Sequence, residues 1–206
     1  MNKLFSTLNK KKSTDNPIII VSGLPRSGTS MMMKMLAEGG LQIVTDAVRR
    51  ADDDNPNGYF ELESVKSLPD GDFTWLKNAD GKVVKVISSL LEYLPSDYTY
   101  KVLFMERELK EILASQKKML LHRNEPSKLN DSEMELQFRN HVAAIKAWLV
   151  RQANFEVMYV NFNSLIADPK TVCHQISHFI GTALNVERML SVPSEKLYRN
   201  RAIISQ

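Results

Sequence analysis

Apolar residues fall along this chain in two rhythms. Continuous apolar or β-branched runs stand at residues 18–22 (IIIVS), 83–87 (VVKVI), 101–105 (KVLFM) and 157–160 (VMYV). Runs of this length, the first bounded by Pro17 and Gly23, read as buried strands. Between them the period changes to that of a helix. A helix is expected over residues 29–38, stopped by Gly39 and Gly40. In "ERELKEILASQKKMLLH" the residues Leu109, Ile112, Leu113, Gln116 and Leu120 share one face. Farther on, Met134, Phe138, His141, Ile145 and Trp148 recur at helical spacing, behind a capping-box pattern of Ser132 and Glu135. Asp168 and Pro169 open a last helix, with aspartate as cap and proline in the first turn. Strands alternating with helices predict a P-loop-type parallel sheet flanked by helices on both faces, a three-layer α/β/α fold. Ligands of such sheets bind at the carboxyl ends of the strands.

The turn after the first strand carries the chemistry. The stretch "IIIVSGLPRSGTSMMMKM" has Gly23 and Gly28 at the spacing of the nucleotide P-loop G-x-x-x-x-G-K-S/T, with Ser30 at the hydroxyl position. The lysine is missing: Thr29 stands there, and Arg26 lies inside the loop. A glycine-bounded turn between strand and helix aims backbone N–H groups inward, and the helix dipole adds partial positive charge. Thr29 and Ser30 add hydroxyl donors, and Arg26 adds a planar cation suited to a tetrahedral oxyanion.

Composition narrows the setting. The 206 residues are 43% hydrophobic and 25% charged, as in an ordinary globular protein. A net charge of +3 is too near balance for a general nucleic-acid or membrane binder. The single cysteine, Cys173, excludes an internal disulfide and fits a reducing cytosol, so a cytoplasmic protein is expected. No apolar run reaches the length of a membrane span, and the N-terminus lacks an apolar core of signal-peptide length. Residues 1–15 read as a mobile basic tail and residues 16–206 as one domain.

At its loop the sequence resembles the sulfotransferases that use 3′-phosphoadenosine 5′-phosphosulfate. Their 5′-phosphosulfate loop is similar to "PRSGTS", so the resemblance implies that Pro25, Arg26, Ser27, Gly28, Thr29 and Ser30 bind that group. It also implies that no metal is needed. The family's 3′-phosphate site pairs an arginine at a strand end with a serine eight residues later, as do Arg107 and Ser115 in "FMERELKEILASQ". Looser similarities continue through "NPNGYFE", "KVVKVISSLLEYLP", "NFNSLIADPKTVCHQISHFIG" and "LYRNR", covering about residues 17–201.

Two departures shape the catalytic assignment. Many cytosolic members carry a histidine base just after the acceptor-side strand; here that place reads "VISS". Their glycine-containing basic motif near the C-terminus is also absent, and Arg199 or Arg201 is expected to substitute for it. Some family branches use a glutamate base, and Glu61 after "NPNGYF" is the first candidate for that role. Glu61 also stands where a helix could start, as a partner of its dipole. His122, at the end of its helix, is the second candidate, while His141 reads as a core or edge residue. Lys85 is expected to add a cation over the bridging oxygen beside Arg26.

Other patterns are set aside. His174 and His178 lie four apart on a helix, but the apolar face there is Val172, Ile176, Phe179 and Ile180, and no third metal ligand is visible. "DDDNPNG" lacks the glutamate of a calcium loop. The run Met31–Met33 with Met35 reads as core. The expected activity is sulfuryl transfer to a hydroxyl or amine of a small-molecule, carbohydrate or lipid acceptor. The alternatives are a non-catalytic binder of the nucleotide and a P-loop small-molecule kinase, for which the loop lysine and a magnesium carboxylate are missing.

Overall fold

The first apolar run forms strand β1, Ile18–Gly23, and each of its residues is buried. Its side chains alternate between two cores. Ile19 and Val21 join one core, and Ile18 and Ile20 the other. A strand covered on both faces has no polar side, which is why this run shows no alternation of apolar and polar residues.

The computed structural model describes residues 16–46, 48, 52, 55, 58–125 and 130–193. The expected tail over residues 1–15 lies outside them, as do Arg199 and Arg201. The remaining strands are β2 (Val83–Lys85), β3 (Tyr100–Glu106) and β4 (Phe155–Asn161). They form a parallel four-stranded sheet in the order β2-β1-β3-β4. The helices are α1 (Thr29–Glu38), α2 (Leu109–His122), α3 (Asp131–Leu149), α4 (Phe162–Ala167), α5 (Pro169–Ile180) and α6 (Val186–Leu190). One face of the sheet packs against Met31, Met32, Met33 and Met35 of α1, Cys173 and Ile176 of α5, and Met189 of α6. The other packs against Ile145 and Leu149 of α3 and against 3-10 helical stretches at Glu63–Asp70, Thr74–Ala79 and Ser88–Tyr93. The sheet is thus a parallel α/β structure with helices on both faces. Among the described residues no helix is long and apolar enough to cross a membrane.

Several boundaries differ from those expected of the sequence. The strand read over residues 83–87 ends at Lys85, opposite Val21, and the chain goes over to the 3-10 stretch at Ser88 while β1 runs on to Gly23 beside β3. The cap of α3 is Asn130, not Ser132. Its side chain accepts from the N–H of Glu133, and the Glu133 carboxylate accepts from the N–H of Asn130. "NDSE" offers the same spacing two residues earlier than "SEME", and the helix starts at the first cap. Glu135 pairs with Arg139 one turn on instead.

The strand order decides which residues meet. With β1 between β2 and β3, the loop after Gly23 stands between Lys85 and Arg107. Register brings Val21 opposite Lys85 and Gly23 opposite Met105.

Candidate active site

The loop is shaped by three positive φ angles, at Gly23 (140°), Arg26 (71°) and Gly28 (103°). A Cβ at Gly23 would lie 2.6 Å from the Met105 carbonyl oxygen, so only glycine lets β1 and β3 stay paired there. A Cβ at Gly28 would lie 2.6 Å from the Phe162 ring. Ser27 is buried, and both its hydroxyl (2.7 Å) and its N–H (3.2 Å) donate to the Leu24 carbonyl. The Ser27 side chain therefore braces the turn from inside. The ladder of α1 begins with Met32 N–H to Gly28 carbonyl. The N–H groups of the preceding first-turn residues lie outside that ladder, as at any helix start.

On the β3 side, two guanidinium groups meet one helix face. Arg26 donates through Nε to Ser115 Oγ at 2.9 Å. Arg107, which follows β3, donates through Nη1 to the Arg26 carbonyl at 3.3 Å and through Nε to Glu111 Oε2 at 2.8 Å. Its guanidinium carbon lies 4.4 Å from the centroid of the Phe162 ring, the same ring that packs on Gly28. Glu111 is 2% exposed and Ser115 4%. Asn163 Nδ2 donates to the second oxygen of Glu111 at 3.4 Å. The structure thus brings together Arg26, Arg107 and Ser115, and adds Glu111, which the sequence reading passed over. Its signal was available: an acid four residues after the arginine and four before the serine lies on their shared helix face.

On the β2 side, Lys85 reaches Ser30. Its Nζ donates to Ser30 Oγ at 3.2 Å and to the Tyr59 carbonyl at 2.9 Å, and it lies 4.0 Å from Glu61 Oε1. Asn55 Nδ2 donates to the same Ser30 hydroxyl at 2.7 Å. Phe60 has φ of 51°, a conformation unusual for a bulky residue. That kink lets the carbonyl of Tyr59 and the carboxylate of Glu61 face one ammonium. The 3-10 stretch begins at Glu63, so Glu61 is not the helix-start residue that its sequence context allowed. Its carbonyl is held by the Thr45 hydroxyl (2.7 Å) and the Asp46 N–H (3.4 Å). The Asp46 carboxylate accepts from the N–H groups of Glu63 (2.6 Å) and Val48 (3.0 Å), and these bonds, Glu63 first, hold its pKa below the ordinary aspartate value. Tyr59 OH is shared between the two Asp52 oxygens at 2.9 and 2.8 Å, and Arg123 Nη2 donates to it at 3.4 Å.

The histidines divide. His122 is exposed at the end of α2, and His174 and His178 are exposed on α5, turned from its buried face. His141 is different: its Nε2 lies 2.8 Å from Ser88 Oγ, just beyond β2. The place that holds no histidine in the sequence is therefore approached by one from α3. Among the described residues no group of three His, Cys, Asp or Glu side chains is arranged to hold a metal ion.

Comparison with known proteins bears on the fold and the family. No curated protein sequence matches the chain. In fold, the chain is similar to the sulfotransferase domain of the Synechococcus PCC 7002 olefin synthase, with a TM-score of 0.52 and 16% identity over 92% of this chain and 85% of that one. It is also similar to mouse sulfotransferase SULT7A1 complexed with PAP, with a TM-score of 0.53 and 17% identity over 96% and 71% of the two chains. The sequence profile of the sulfotransferase domain matches residues 16–196. The chain belongs to the sulfotransferase domain family.

Proposed function

We propose that this protein transfers a sulfuryl group from 3′-phosphoadenosine 5′-phosphosulfate to a hydroxyl or amine of a small-molecule, carbohydrate or lipid acceptor. The observation that carries the reading is the meeting of Arg26, Arg107 and Ser115 beside a phosphate-type loop that has Thr29 in place of lysine. The mouse sulfotransferase of similar fold is complexed with PAP, which supports a nucleotide of that kind here.

In this reading the loop over residues 25–30, Pro25 and Ser27 included, forms the cradle of the 5′-phosphosulfate, with the N–H groups of Gly28, Thr29 and Ser30 and the hydroxyls of Thr29 and Ser30 as donors. Arg107 and Ser115 receive the 3′-phosphate. Arg199 and Arg201 are further phosphate ligands on the sequence resemblance alone. The acceptor atom attacks sulfur in line, a new S–O or S–N bond forms, and the bond from sulfur to the bridging oxygen breaks. The electron pair stays on the departing 5′-phosphate, where Arg26 and Lys85 stabilise the developing charge. Glu61, 4.0 Å from Lys85, takes the acceptor's proton. No metal enters the scheme. The reaction is assigned to the cytoplasm, on the single cysteine and the reducing surroundings it suits.

A second reading, nucleotide binding without turnover, is favoured by one observation: "VISS", with Ser88 and Ser89, stands where many cytosolic members of the family carry a histidine base. Calorimetry with adenosine 3′,5′-bisphosphate, against ATP with magnesium, tests the nucleotide assignment. Tight binding of the bisphosphate and none of ATP is expected, and the reverse points to a kinase. Release of labelled bisphosphate from the sulfuryl donor across a panel of acceptors separates enzyme from binder.

A further inference from the structure

Glu111 has no part in the scheme above, yet it is among the most buried charged groups described, at 2% exposure. A carboxylate in such a place loses its hydration, and an ion pair rarely repays that loss in stability. An apolar residue would fill the same position on α2 at lower cost. The carboxylate therefore calls for another explanation, and its contacts supply one.

A guanidinium on its flexible stem presents its fork in many planes. Several contacts bear on the plane of Arg107. Nε–H goes to Glu111 at 2.8 Å, Nη1–H goes to the Arg26 carbonyl at 3.3 Å, and the face lies over the Phe162 ring at 4.4 Å. Of these, only the Glu111 bond is charge-assisted, short and buried on both sides, with side-chain exposures of 7% and 1%. Ser115 lies one turn farther along the same helix and accepts from Arg26 Nε. One row on α2 thus holds both arginines, Arg107 through Glu111 and Arg26 through Ser115.

We propose that Glu111 is a positioning residue: it orients Arg107 toward the 3′-phosphate and so sets the preference for a 3′-phosphorylated nucleotide. This inference rests on the nucleotide assignment above. Glu111 acts only through Arg107 and carries the wrong charge to meet a phosphate itself. Its bond to Nε fixes the plane of the guanidinium, and orientation settled before binding need not be bought from the binding energy.

The test is the ratio of affinities for adenosine 3′,5′-bisphosphate and adenosine 5′-monophosphate, measured by calorimetry on the wild type, Glu111→Ala and Glu111→Gln. Glu111→Ala should lower the ratio by roughly 10- to 100-fold, the worth of a hydrogen bond to a charged group. Affinity for the monophosphate should stay within about twofold of wild type, because that ligand does not use Arg107. Glu111→Gln keeps an acceptor for Nε, and a turned Asn163 amide accommodates the new NH₂. It should retain most of the preference, with a loss of roughly threefold to tenfold for the weaker neutral bond. Should Glu111→Ala not fold, Glu111→Gln decides. An unchanged ratio, or a tighter hold on the bisphosphate, shows that the carboxylate does not orient Arg107 and overturns the inference. Equal weakening of both nucleotides also overturns it, since that marks a role in folding alone. A wild type that binds both nucleotides alike removes the 3′-phosphate site, and the inference with it.

Discussion

Arg26 Nε and Ser115 Oγ, 89 residues apart in sequence, are joined by a hydrogen bond of 2.9 Å. The bond ties the loop that follows β1 to the helix that follows β3. The two halves of the candidate nucleotide site are therefore joined by a direct side-chain bond. Four outcomes are expected from this arrangement.

Arg107→Ala should weaken binding of a 3′-phosphorylated nucleotide by about 2–5 kcal/mol, the cost of truncating one member of a buried charge pair. Adenosine 5′-phosphosulfate, which lacks the 3′-phosphate, should lose far less. Calorimetry with both ligands checks this, and equal losses contradict the assignment. The variant should also unfold at lower temperature, because Glu111 is left as an uncompensated buried charge.

Glu61→Gln keeps the shape of the side chain and removes its basicity. Turnover should fall by roughly 100- to 10,000-fold while nucleotide affinity stays within about threefold. Steady-state kinetics on a verified acceptor, with bisphosphate binding measured alongside, reads both. Near-normal turnover moves the base elsewhere, and the histidine to examine first is then His141 beside Ser88, ahead of the exposed His122.

Gly28→Ala places a methyl group 2.6 Å from the Phe162 ring at a φ of 103°. Strain of about 1–3 kcal/mol is expected from the backbone alone. The displaced ring also carries the Arg107 guanidinium, so nucleotide binding should drop together with thermal stability. A variant with wild-type melting and wild-type binding would show that the loop has slack that this packing does not suggest.

Asp46 gives the pH dependence a sign. Its carboxylate accepts N–H groups of Glu63 and Val48, so its pKa in the fold lies below the ordinary 3.8. A depressed carboxylate pKa stabilises the fold above the unfolded value, and that contribution is lost as pH falls through the folded one. The denaturation midpoints of wild type and Asp46→Ala should therefore differ at neutral pH and converge well below 3.8. Because the Asp46 carboxylate holds the N–H of Glu63, two residues from Glu61, the variant should also lower turnover at neutral pH.

Much of this molecule was legible from one-dimensional signals, and the reason is locality. The glycines that bound the loop, the start of α1 at Thr29 and its stop at Gly39 all follow from turn chemistry among neighbouring residues. So does the opening of α5 by Asp168 and Pro169. The two-sided burial of β1 follows from its unbroken apolar run. Local signals also set the limit of that reading. Two overlapping capping patterns near residue 130 are equivalent on paper, and only the folded chain chose Asn130. Likewise Val86 and Ile87 look as strand-like as Val83 and Val84, but the ladder to β1 stops at Lys85 as the chain goes over to the 3-10 stretch at Ser88.

The site itself belongs to the tertiary structure. Lys85 meets Ser30 because β2 lies beside β1, and Arg107 meets Arg26 because β3 lies on the other side. The bond from Arg26 to Ser115 and the approach of His141 to Ser88 depend on which face each side chain occupies after the sheet is assembled. Sequence spacing reports distance along the chain and the period of one element. Contacts across 50 to 90 residues are set by strand order and by packing on both faces of the sheet, about which a linear pattern carries no direct information.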